Sequence, residues 1–132
     1  MTNTLVVTPD QIRLRPGSGG NVKGLNVMRV HEGVPYVNII ESPPHTYAQV
    51  HSHDVDEVMV VVSGQMFFTG RWCEIGSVIY VPAHEEYWYS TADEPCRIAL
   101  VRPAGRGSFK HGIEAQAQAP ACPAAAADSD DA

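Results

Sequence analysis

His51-Ser52-His53 places two imidazoles two residues apart, and Glu57 follows four residues after the second. On a β-strand, positions i and i+2 project from the same face, so both rings would reach one ligand. If the next strand folds back antiparallel, the Glu57 carboxylate arrives beside them. Two imidazoles and a carboxylate suit Fe(II), Mn(II), Ni(II), Zn(II) or Cu(II), and two-His-one-carboxylate sets with open positions are typical of non-haem iron. A bare H-x-H pair also reads as two solvated histidines in a polar loop, so the surrounding elements have to decide.

Those elements read as strands. Residues 57–62 (EVMVVV) form a β-branched run too short to need a helix. Strands are also expected over 27–30, 34–41, 46–53, 65–69, 71–75, 78–81, 87–89 and 96–102, separated by turn signals such as Ser42-Pro43-Pro44, Gly76-Ser77 and Asp93-Glu94-Pro95. Ser63-Gly64 is expected to close a hairpin between 57–62 and 65–69. No stretch carries an amphipathic helical period over three turns. Many short strands at roughly ten-residue spacing indicate an all-β sandwich or barrel. The division expected is an amino-terminal arm or edge strand over 1–26, a barrel over 27–103, and a flexible tail over 104–132, where Ala, Pro and Asp replace the hydrophobic pattern.

The spacing around the histidines resembles a known family. His51-x-His53-x-x-x-Glu57, then six residues and Gly64, followed later by Gly76, five residues and Pro82, is similar to the two signature motifs of the cupin superfamily. The resemblance spans about residues 35–102. It implies a single jelly-roll β-barrel holding one divalent transition metal, iron first, with Zn, Ni, Mn or Cu as alternatives. It carries the metal ligands over onto His51, His53 and Glu57. The sequence departs from the family at three positions. His45 and His84 replace glycines, and Tyr87 stands where the fourth ligand is normally histidine. Water, the Tyr87 phenolate or His84 therefore remain as candidates for that position, beside a barrel that has lost tight metal binding.

Alternation nominates the rest of a pocket. If the strand from Thr46 is unbroken, Tyr47 and Gln49 share the face of His51 and His53, with His45 beyond them, while Met59 and Val61 share the Glu57 face and Tyr89 that of Tyr87. Glu57, Tyr87 and Tyr47 are then the candidate acid–base groups, and Gln49, Met59, Tyr89 and His45 the candidate substrate contacts. Arg97 and Arg102 differ by an odd offset and so cannot share a face; Trp72 and Trp88 are expected to pack in the core or across a subunit contact.

Composition narrows the partners. Fifteen acidic against nine basic residues give a net charge of −6, without a basic cluster for a phosphate backbone, which argues against nucleic acid and anionic membrane surfaces. No run approaches the length of a membrane helix. Three cysteines without a C-x-x-C pair, and no basic and apolar leader, give the expectation of a reduced, cytoplasmic setting. A homodimer is expected, formed by the amino-terminal arm adding to a partner's sheet. For function, the first expectation is an Fe(II) dioxygenase acting on a small organic molecule. The second is a non-redox isomerase, lyase, decarboxylase or cyclase with the metal as Lewis acid, and the third a non-catalytic binding or sensor protein.

Overall fold

The computed structural model describes residues 3–17 and 24–112. Eleven strands follow a single 3₁₀ turn at Pro9–Gln11: β1 (Arg15–Pro16), β2 (Asn26–Glu32), β3 (Tyr36–Ser42), β4 (Tyr47–His53), β5 (Glu57–Ser63), β6 (Met66–Phe68), β7 (Arg71–Cys73), β8 (Val78–Val81), β9 (Tyr87–Ser90), β10 (Cys96–Arg102) and β11 (Phe109–His111). Every pairing is antiparallel. The first sheet runs β1-β2-β3-β10-β5-β8 and the second β11-β4-β9-β6-β7. No helix among the described residues is long and apolar enough to cross a membrane.

The two sheets close over one core. Met59, Val61, Ile98, Leu100 and Tyr36 come from the first sheet, and Ala48, Met66, Tyr87 and Tyr89 from the second. Inward residues alternate with less buried ones on β5 and β10, which gives each strand one face for the core and one for solvent. Trp72 and Trp88 pack on Phe67, and Tyr47 on Trp88, on the side of the second sheet turned away from Tyr87 and Tyr89.

Three expectations change here. Strands β5 and β6 do not form a hairpin: β5 bonds to β10 and β8, β6 lies in the other sheet, and the chain crosses between sheets at Ser63-Gly64. Gly64 adopts φ +72°, and a Cβ there would stand 2.1 Å from the Pro95 carbonyl oxygen, so this crossing admits no side chain. Secondly, β4 lies in the second sheet and β5 in the first, so they are not neighbours, and Glu57 meets the histidines across the interior instead of along a ladder. Thirdly, the ordered domain does not stop at 103. The strand β11 pairs with β4, matching Phe109 to His53 and His111 to His51. Asp54 secures this return by accepting the Ser108 backbone N–H at 2.8 Å and its hydroxyl at 3.1 Å. Gly107, at φ +66°, lies so close that a Cβ would meet the Asp54 Oδ1 at 2.5 Å. The arm contributes β1, which pairs with β2 of its own chain. The remainder of the expected tail, 113–132, lies outside the described residues.

Candidate functional site

Neighbouring elements from both sheets converge on one end of the barrel. His51 and His53 project inward from β4, ring centroids 5.1 Å apart and edge to face. Tyr87 enters from the adjoining β9, 4.4 Å from the His51 ring and stacked on Phe68. From the opposite sheet come Glu57 at the start of β5 and Arg102 at the end of β10. Glu57 is 1% exposed and both its oxygens are engaged: Oε1 accepts the Tyr87 hydroxyl at 2.6 Å, and Oε2 accepts Arg102 Nε at 2.8 Å. The same guanidinium donates to the Arg106 carbonyl at 3.0 Å and to His53 Nε2 at 3.3 Å, and lies over the Tyr36 ring. A buried carboxylate, a phenol, a guanidinium and an imidazole thus form one connected polar hub.

Protonation follows from this packing. Burial lowers the His51 pKa, and it lowers that of His53 to about 4, with the Glu57 charge opposing in both cases. Both rings are neutral near pH 7. A carbonyl can only accept, so His51 Nδ1, 2.7 Å from the Gln49 carbonyl, carries the proton. Arginine can only donate, so His53 Nε2 is the acceptor toward Arg102. Burial, followed by the charge and hydrogen bond of Glu57, holds the Tyr87 phenol well above its ordinary value. Tyr87 is accordingly a proton donor to Glu57. Tyr89, pushed up to about 12 by burial, meets the Ser42 hydroxyl at 3.1 Å.

A cavity of about 620 Å³ opens over this hub, within the range of small-molecule sites. His51, His53, Tyr87, Tyr89, Met59 and Arg102 line it, together with Ala48, Asn38, Arg29 and the Arg106–Phe109 return. The structure therefore brings together His51, His53, Glu57, Tyr87, Met59 and Tyr89 of the sequence-predicted residues. It separates the others. Between Ala48 and His51, β4 advances three residues while β9 advances two, from Tyr89 to Tyr87. This β-bulge reverses the side-chain parity, so Ala48 faces the cavity and Gln49 faces solvent. Tyr47 sits against Trp88 outside the cavity. His45 is largely exposed and pairs with Asp93 at 3.1 Å. His84 is exposed in the β8–β9 turn, where its backbone N–H donates to the His53 carbonyl, so the ring does not supply a fourth ligand in this arrangement. The hub also contains Arg102, which the sequence sets against Arg97 as one of two arginines unable to share a face. Its signal was alternation, since Ile98, Leu100 and Arg102 share the inward face of β10.

Tested as a metal site, the donors fit in kind. Neutral imidazoles and a buried carboxylate suit a divalent transition ion. His53 Nε2 and Glu57 Oε2 stand 4.0 Å apart, a span that two ligands at roughly 2.1 Å from one ion can bridge. The guanidinium of Arg102 now holds both atoms, and among the described residues no three His, Cys, Asp or Glu side chains converge on one point. An ion would have to displace Arg102 from His53, because a single lone pair cannot serve both.

No family model matches the chain, and no curated protein does. Solved structures do resemble it. The polyketide cyclase RemF of Streptomyces resistomycificus superposes with a TM-score of 0.72 at 14% identity, covering 95% of this chain and 93% of its own. A sugar phosphate isomerase of the cupin superfamily from Silicibacter pomeroyi gives 0.67 at 18% identity, over 82% of each chain. A cupin-2 domain of Rhodospirillum rubrum gives 0.66 at 10%, over 86% of this chain and 83% of that one.

Proposed function

We propose that this chain, whose fold is the cupin jelly roll, is a non-redox enzyme that isomerises, cyclises or eliminates within a small, oxygen-rich molecule. The observation that carries this reading is the buried Tyr87–Glu57–Arg102 hub set beneath two neutral imidazoles in an open cavity. Each group has a role in moving a proton. The neutral imidazole of His51, with its Nδ1 proton on the Gln49 carbonyl, accepts at Nε2 a proton from a carbon next to a carbonyl. The Tyr87 hydroxyl gives its one proton to Glu57 and keeps its oxygen as an acceptor for a substrate hydroxyl; with its pKa raised it does not act as a base. Arg102 offers its N–H groups to charge that develops on an enolate oxygen. Glu57 orients both donors. The apolar side chains of Met59 and Leu100 exclude solvent.

His51 and His53, with Glu57 as a third donor, would hold a divalent transition metal, and such an ion supplies a Lewis acid for a substrate carbonyl. Support also comes from two similar folds, a polyketide cyclase and a sugar phosphate isomerase. The donor set His51, His53 and Glu57 equally favours a second reading, the Fe(II) dioxygenase. A binding protein without turnover is the third. The buried, unpaired thiols of Cys73 and Cys96 accord with the reduced, cytoplasmic setting this proposal assumes, and a homodimer belongs to the same proposal.

Oxygen dependence separates the readings. Protein loaded in turn with Fe(II), Zn(II) or Ni(II) is incubated with β-diketones, keto sugar phosphates and polyhydroxynaphthalenes, with and without air. Conversion that proceeds equally under nitrogen is the expected result. Stoichiometric oxygen uptake with Fe(II) alone would establish the dioxygenase instead, and binding without conversion the third reading.

A further inference from the structure

Strand register orders the cavity into levels. Across the first sheet, Arg29 is paired with Asn38, Asn38 with Leu100, and Leu100 with Met59, so these four side chains form one row facing the interior. Two residues along the strands, Tyr36 is paired with Arg102 in the row of the polar hub. Two residues the other way lie Val27, Ile40 and Ile98, which are apolar. Asn38 is therefore a solitary amide one row, roughly 7 Å, from the hub.

That amide is unusual in its bonding. Asn38 is 6% exposed, lines the cavity, and its Oδ1 makes no hydrogen bond. Its row neighbours Leu100 and Met59 offer no donor, and Arg29 directs its Nε to the Tyr36 hydroxyl at 3.4 Å. A buried amide oxygen without a partner is destabilising, and a rotation about the terminal bond would present either the oxygen or the NH₂ to a guest. The cavity is the one direction from which such a guest can come.

We infer that Asn38 is a specificity residue that hydrogen-bonds a second oxygen of the substrate, one strand repeat from the oxygen that meets the Tyr87–Arg102 hub. The substrate class is then a molecule with oxygen functions at two positions roughly 7 Å apart and an apolar far end against Val27, Ile40 and Ile98. This inference rests on the reading of the cavity as a substrate site and adds to it the spacing and number of polar anchors.

The probes are 2-naphthol and 2,7-dihydroxynaphthalene, with binding followed by titration calorimetry on the full chain. Wild type is expected to prefer the dihydroxy compound about tenfold, the worth of one well-made hydrogen bond. Asn38→Leu should abolish that preference, keep the affinity for 2-naphthol, and raise the melting temperature because a buried unsatisfied group has gone. Asn38→Ser, which keeps a small polar group, should restore part of the preference. Retention of the full preference in Asn38→Leu overturns the inference, and so does equal binding of the two probes by wild type, while the cavity remains a ligand site. Failure of both probes to bind wild type at all overturns the substrate-site reading as well.

Discussion

The two ends of the cavity are built from opposite materials. At one end Glu57, Arg102, Tyr87 and His53 are buried and bonded to one another; at the other, Val27, Ile40 and Ile98 present only hydrocarbon. The apolar end stabilises the fold by removing surface from water, and it tolerates exchange among groups of similar volume. The polar end is internally committed, since removal of any one member leaves another without its partner. The contrast teaches that this barrel's stability and its chemistry are sited about two strand repeats apart, and substitutions at the two ends should therefore fail in different ways.

Arg102→Met should have the largest effect. It strands the Glu57 carboxylate, at a cost of roughly 3–5 kcal/mol measured by urea unfolding, whereas a Glu57→Leu/Arg102→Met pair should recover most of it. The same single variant sharpens the metal question. If Arg102 stands in for a cation, Zn(II) should raise the melting temperature of Arg102→Met well beyond any rise in wild type. Equal responses would mean that the guanidinium and the ion do not compete.

At the apolar end, Ile98→Ala should cost roughly 2–5 kcal/mol through lost burial and a residual cavity, while leaving the protonation behaviour of the hub unchanged. Tyr87→Phe removes the 2.6 Å hydrogen bond to Glu57 but keeps the ring, so a loss of roughly 1.5–3 kcal/mol is expected, together with a far larger loss of turnover than Ile98→Ala causes.

A further effect is pH-dependent. His53 titrates near 4 in the folded chain, below the ordinary histidine value of 6.5, and His51 shifts in the same direction. The unfolded chain therefore binds the proton first as pH falls. Stability should decline between about pH 6.5 and 4, by at most about 1.4 kcal/mol per pH unit for His53, with no further loss from it below that window. Melting curves of the metal-free protein at pH 7 and pH 5 test this, and His53→Gln should flatten the slope.

The same two-ended view explains what was legible in the sequence. Strand content, the inward alternation of β5 and β10, and the grouping of His51, His53 and Glu57 depend on local pattern and spacing, which a chain displays directly. Gln49 and Tyr47 were misplaced because a bulge at residues 48–51 shifts parity, and nothing in TYAQVHSH marks the extra residue. His45 and His84 adopt positive φ in turns, and their rings lie outside the barrel mouth. The crossing at Ser63-Gly64 resembled a hairpin turn because its cause, the Pro95 carbonyl, lies thirty residues away in the chain. The bonding of Arg102 was not legible for a similar reason: its partners Glu57 and His53 reach it only through sheet closure. The short β11 has no strand composition of its own, and is held by Asp54 and by pairing with β4.

The central claim is that the polar end moves protons without net oxidation. Its most direct test is wash-in of solvent deuterium, followed by NMR under nitrogen, at the carbon between the two carbonyls of acetylacetone. Wild-type protein should accelerate the exchange well above buffer, and the His51→Ala/His53→Ala double variant should return it to the buffer rate. Exchange at the buffer rate with wild type, or an acceleration that survives in the double variant, would contradict the account.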